Sequence, residues 1–276
     1  MRTLILSILM LALALGSLHA QDLNIHKTDG TTITIPLNTI DSITFSESGS
    51  AFECGVSTVT DVDGNVYNTV LIGEQCWMKE NLKTTLYRDG TPIDNPINNS
   101  DWQNNTIGAY AWYNNNSGFK DSYGALYNWY AGVNANGLCP DGWHLPADDE
   151  WTQLVDYVAA QGFPNENISN GTGNALKSCR QVNSPLGGDC NTAVHPRWDS
   201  NNTHYGFDEF GFSAFPGGAR DISGVFGFIG AYGTWWTSTE YPSSFVYYRH
   251  IGFSYGNVGH DSLDKGTGFS VRCIKD

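Results

Sequence analysis

Positive charge is scarce in this 276-residue chain. Its 14 Lys and Arg face 28 Asp and Glu, a formal net charge of −14 at pH 7. Such a surface is repelled by nucleic acid and by anionic membranes, which argues against both as partners. Long apolar runs are missing too: Leu4 to Leu15 is too short to cross a bilayer comfortably, so no membrane span is expected. The sequence has no Cys-x-x-Cys pair, no H-E-x-x-H and no His-x-His pair. His144, His195, His204, His250 and His260 are scattered, and His144 reads as a structural residue. Gly224 to Gly233 lacks both the G-x-G-x-x-G spacing and the following helix of a phosphate loop, so it reads as turn chemistry. No catalytic residue is singled out by these patterns.

The chain opens with a short basic start, an apolar run and small residues up to Ala20, followed by Gln21. This reads as a signal peptide over residues 1–20, and hence as a secreted or cell-surface protein. The six cysteines are an even number in an exported chain, so disulfides are expected rather than a metal site. Cys179 and Cys190 bracket a short loop and are expected to pair. Cys76 is assigned to Cys139, which leaves Cys54 for Cys273. Aromatics at 13%, 31 glycines and only 15% charged residues point to a loop-rich β fold that packs large rings between turns.

Residues 21–50 read as a β-hairpin module and linker, with a turn at Asp29-Gly30, a third strand over Ile40 to Phe45, and a small-residue stretch from Ser46. The main domain is expected over residues 51–276. It opens with two strands around Asp63-Gly64-Asn65. Asp61, Asp63 and Asn65 alternate like the first ligands of a calcium loop, but no later glutamate follows and strands replace the flanking helices. A hairpin turn is the favoured reading, with calcium the one cofactor the pattern admits. The clearest helix follows Pro146: Trp151, Leu154, Val155 and Val158 fall at i, i+3, i+4 and i+7. Asp148, Asp149 and Glu150 suit its N-terminal dipole, and Gly162 and Pro164 stop it.

The stretch CPDGWHLPADDEW at 139–151 resembles the signature of the Fibrobacter succinogenes major paralogous domain of secreted bacterial proteins. Further resemblances run in the same order through VTDVDGNVYNTVLIGEQCWMKENLKTT, YGALYNWYAGV, GFSAFPGGARD, WWTSTE and GFSVRCIKD, from Cys54 to Asp276. The family is similar to C-type-lectin-like and sulfatase-modifying-factor-like domains. The resemblance therefore implies an α+β fold of short mixed and antiparallel sheets with two or three helices, held by disulfides. Ala147 departs from the family's usual Ser or Thr, which removes a helix-capping hydroxyl and hands that role to Asp148.

The expected function is a secreted, non-enzymatic binding or adhesion module for a glycan or a cell-surface protein. Exposed aromatics beside amides and carboxylates suit sugar faces and hydroxyls. The candidate contacts are Trp102, Trp112, Tyr113, Trp198, Tyr241, Tyr247, His260 and Asp261. The alternatives are a structural cell-surface protein and an enzyme like the sulfatase-modifying oxidases. The latter need a reactive cysteine pair late in the domain, where this chain has only Cys273.

Overall fold

The computed structural model describes residues 22–26, 30–39, 52–242 and 244–276. The chain divides into two compact units, Met1–Ala51 and Phe52–Asp276. In the first, strand Asp22–His26 pairs antiparallel with Thr32–Pro36, and a short 3₁₀ turn covers Leu37–Thr39. Ile25 and Ile33 face each other across the ladder and both stay exposed. The expected signal peptide, Asp29 of the turn, the strand over Ile40 to Phe45 and the linker lie outside the described residues.

The second unit is mixed α and β, with short, mostly antiparallel sheets, few helices and three disulfides. Its core is threaded by the last residues of the chain. Strand Ile274–Lys275 inserts between Gln75–Met78 and Trp143–His144, and Thr69–Ile72 completes a four-stranded antiparallel sheet. Just before it, Val271 accepts from Leu82 N (2.8 Å), and Phe269 exchanges both ladder bonds with Tyr127 (2.8 and 3.0 Å). Ser270 reaches a three-stranded meander formed by Tyr232–Glu240, Phe245–Gly252 and Gly259–Asp264, through Thr234 O (3.1 Å) and Trp236 N (3.2 Å). Every residue from Gly268 to Ile274 is buried.

Helix Asp148–Ala160 packs on this core through the apolar stripe of its sequence: Trp151, Leu154, Val155 and Val158 are all buried. Trp151 meets Trp77 at 4.9 Å, Phe212 at 5.8 Å and Trp235 at 5.9 Å between ring centroids. Its N-terminus corrects the capping expectation. Asp148 is turned to Arg249, and the Asp148 N–H instead donates to the Thr239 hydroxyl of the meander (3.0 Å). One half of a capping box survives, with Glu150 Oε2 accepting from Ala147 N at 2.7 Å; an alanine side chain cannot supply the other half. Ala147→Ser restores it, and thermal melting should show a gain of about 0.5–1 kcal/mol. No gain would mean that Thr239 already satisfies the helix start.

The cysteines pair Cys54–Cys76, Cys139–Cys273 and Cys179–Cys190. The expected Cys76–Cys139 and Cys54–Cys273 bonds are therefore corrected. The cause is strand order: the last strand lies beside Trp143–His144, which brings Cys273 to Cys139, while Cys76 meets the chain just before the first sheet strand. Sequence separations of 134, 22 and 11 residues rank their effect on the unfolded chain. Chain entropy gives about 5, 3.4 and 2.8 kcal/mol in that order. Paired Cys→Ser replacements should lower Tm in the same order, and peptide mapping without reduction checks the pairing.

His144 clasps the chain end, with Nδ1 at 2.6 Å from Asp276 Oδ1 and Nε2 at 3.0 Å from Glu150 Oε1. Both nitrogens face carboxylates, so the doubly protonated ring fits best. Burial lowers its pKa, but the bonds to Asp276 and Glu150 outweigh burial and raise it overall. The folded state thus holds the proton more tightly than the unfolded chain. This contribution is complete below about pH 6.5 and disappears as pH rises through the folded value. Because the side chain is 40% exposed, the effect is modest. His144→Gln should lower Tm more at about pH 5.5 than at about pH 8.5; a loss independent of pH would overturn the charged assignment.

Candidate functional site

The meander presents different chemistry on its two faces because side chains alternate along a strand. On the face toward the helix start, Arg249 donates through Nε to Asp148 Oδ1 (2.9 Å) and through Nη2 to Asp148 O (2.9 Å) and Thr152 Oγ1 (2.8 Å). His260, the cross-strand partner of Arg249, lies 3.1 Å from the same carboxylate. Tyr247 stacks on His260 at 4.7 Å, and Tyr241 stands edge-on to Tyr247 at 5.2 Å. Three of the candidate contact residues are thus gathered here.

The opposite face holds a groove of about 560 Å³. Tyr248 and His250 from the middle strand, Tyr232 and Thr234 from the first, and Phe269 from the C-terminal run form its floor. Its wall is the hairpin in which Ala219–Arg220 pairs with Phe226–Gly227. Phe228 stands at the rim, 64% exposed and edge-on to Tyr232 at 5.8 Å. Its φ is 68°, in the left-handed region that a bulky residue occupies at a cost of about 1–3 kcal/mol. The hairpin end also sits so close to Gly218 that a Cβ there would meet Gly227 O at 2.4 Å. An exposed ring thus stands at the mouth in spite of backbone strain, next to a tight approach at Gly218.

One carboxylate remains open to the groove. The turn at Asp221 uses only one carboxylate oxygen: Oδ1 accepts from Ser223 N, Ser223 Oγ and Val225 N at 2.6–2.9 Å. Oδ2 has no partner among the described residues. Burial would raise this carboxyl, but the Ser223 hydroxyl and the N–H groups of Val225, Ser223 and Gly224 outweigh it, so the net shift is downward. His250 Nδ1 is buried without a partner. Burial lowers the His250 pKa, opposed by Asp261 and assisted by His260, and the ring is neutral at pH 7. Burial, then Asp261 and Tyr232, raises Tyr248.

Other expected contacts are placed elsewhere. Trp102 and Trp198 are fully buried, and Trp112 and Tyr113 are 9% and 8% exposed, which corrects their assignment as surface contacts. They anchor loops: Trp198 Nε1 donates to Ala214 O at 3.0 Å, and the Arg220 guanidinium lies over Trp102 at 4.4 Å. Asp261 is exposed on the groove side, opposite Tyr248. Asp61 accepts from Asn65 N (2.9 Å), Asn65 Nδ2 (2.8 Å) and Tyr67 OH (2.6 Å). Asp63 Oδ2 accepts from Thr85 N (2.6 Å) and Oγ1 (2.9 Å). These oxygens lock a turn to its neighbouring segment. Among the described residues no group of three or more His, Cys, Asp or Glu is arranged to hold a metal ion.

Sequence reasoning passed over the groove residues Asp221, Phe226, Phe228, Tyr232, Tyr248 and His250. Their signal is a glycine at every third position from Gly224 to Gly233 with rings between, and the alternation of Tyr248 with His250. Gly252-Phe-Ser-Tyr-Gly256 carries the G-x-S-x-G spacing of a nucleophile elbow. Here, however, it joins strand Phe245–Gly252 to strand Gly259–Asp264 with no helix following, and Ser254 bonds no histidine among the described residues.

Among curated proteins and solved structures, nothing matches the chain. The family model described as the Fibrobacter succinogenes major domain matches residues 70–275. That span takes in the central sheet from Val70 onward, the long helix, the meander and the groove, and the chain belongs to the Fibrobacter succinogenes major domain family.

Proposed function

We propose that the protein is a secreted, non-enzymatic binding module of C-type-lectin-like fold that holds a carbohydrate in the aromatic groove of its meander. The observation that carries this reading is the groove itself, where ring walls stand beside the exposed carboxylate of Asp221, whose Oδ1 alone is used by its own turn. A pyranose offers an apolar C–H face to an aromatic ring and hydroxyls to polar atoms, and a pocket of this size matches a small ligand. Three disulfides suit an oxidising compartment outside the cell. No described helix is long and apolar enough to cross a membrane. The oxidase alternative loses its reagent, because Cys273 is buried and bonded to Cys139. A second reading, attachment to another protein, is favoured by the exposed Tyr241 and Phe245 beside Tyr247.

The test is a glycan array probed with the folded, disulfide-intact chain, with and without EDTA. Saturable binding that EDTA leaves unchanged is expected, since Asp221 is the one carboxylate among the groove's lining residues. Phe228→Ala should weaken it about threefold to tenfold, the worth of one aromatic contact, without loss of Tm because the ring is exposed and its backbone strained. A blank array removes the carbohydrate reading and moves the assignment to a protein partner.

A further inference from the structure

The groove repeats the shortage of positive charge seen in the whole chain. No Lys or Arg lines it, and Asp221, with Oδ2 unpartnered, is its one charged lining residue. Asp261 stands opposite Tyr248 across the outer strand pair and accepts from Ser262 N (2.8 Å), and neither aspartate joins an ion pair among the described residues. Aromatic faces carry negative quadrupole density and attract cations, most strongly where water is partly excluded. Tyr232, Tyr248 and Phe228 line the same groove as Asp221. One neighbouring cation needs account: the Arg220 guanidinium lies 4.7 Å from the Phe226 ring. It covers that ring from the protein side and gives its donors to Gly224 O, Pro96 O and Ile97 O. Phe226 therefore serves as an apolar wall, and the other rings are left to receive a charge from outside.

Resting on the carbohydrate reading above, we propose that the groove selects a sugar unit bearing a protonated amine, its ammonium beside Asp221 and its ring against the aromatic wall. An acetylated amine of the same sugar keeps the hydroxyls and the C–H face but loses the charge, so the two forms isolate the electrostatic part. Uronic acids, which carry the opposite charge, meet the carboxylates of Asp221 and Asp261 and are disfavoured.

Isothermal titration calorimetry of the full chain with glucosamine oligomers and with N-acetylglucosamine oligomers of equal length tests this at about pH 5.5, where an alkyl amine is fully protonated. The amine form should bind about tenfold more tightly, or about 1.4 kcal/mol, with the advantage shrinking as salt is added. Asp221→Asn keeps the oxygen that organises the turn, so the fold is preserved, and should bring the ratio of affinities toward one. Equal affinities, or a preference for the acetylated form, overturn the inference and leave the sugar groove standing. Binding of neither oligomer overturns both. A preference that persists unchanged in both Asp221→Asn and Phe228→Ala puts the amine at another place and overturns the inference as well.

Discussion

The interior of this domain depends on buried cations that serve loop carbonyls. A fold with short sheets and long connections encloses many backbone oxygens that no helix or ladder satisfies, and each must find a donor. Lys177, Arg220, Arg249 and Arg272 are all buried, and only Arg249 has a carboxylate partner among the described residues. Arg272 lies over Phe212 at 4.3 Å, donates to Phe212 O, and reaches Asn81 Oδ1 through Nε (3.3 Å) and Nη2 (3.0 Å). Asn81 in turn accepts from Trp235 Nε1 (2.9 Å) and donates to Tyr123 O (2.9 Å) and Ser270 Oγ (3.2 Å). Burial pulls the guanidinium down to about 10, with Glu80 and Asp208 opposing, so it remains charged in neutral solution. Lys177 repeats the pattern, with Asn174 Oδ1, His204 O and Tyr255 O at 2.7–3.0 Å matching its three donors and Trp198 beneath it. Burial draws its pKa down to about 7.

The same device shapes the groove. Arg220 ties the hairpin turn at Gly224 to the carbonyls of Pro96 and Ile97, which belong to the long Asn- and aromatic-rich loop. Trp102 of that stretch, named above as a candidate contact, is buried under Arg220. The loop's role is support: it backs the hairpin that walls the groove, while the groove-facing rings come from a glycine-spaced run and a strand. With few basic residues in the chain and several of them committed inside, the outer face of the meander is left to aromatics and carboxylates.

What could be read in advance was local. The helix at Asp148–Ala160 followed from four apolar residues on one turn-spaced stripe, since i, i+3 and i+4 neighbours share a face whatever the rest of the chain does. The family motifs, running from Cys54 to Asp276, were legible for the same reason, being runs of adjacent residues, and the family model matches residues 70–275 of that stretch. The first-turn acids were legible as favourable charge, but the actual cap, the Thr239 hydroxyl, comes from 91 residues away. Size and chemistry alone could not separate Trp102 and Trp198 from an exposed ring such as Phe228, because all three are large and apolar enough for either place.

The sequence by itself determined the acidic surface, the even set of cysteines, the long helix and the turn-rich β character, because each depends on composition or on near neighbours. Only the tertiary structure decided which cysteines pair, which rings are buried and where the groove lies. The reason is one long-range event: the final strand enters the middle of the sheet beside residues from the first half of the domain. That insertion joins Cys273 to Cys139, carries Phe269 under the meander, and sets Tyr248 and His250 over it as the floor of an open aromatic site.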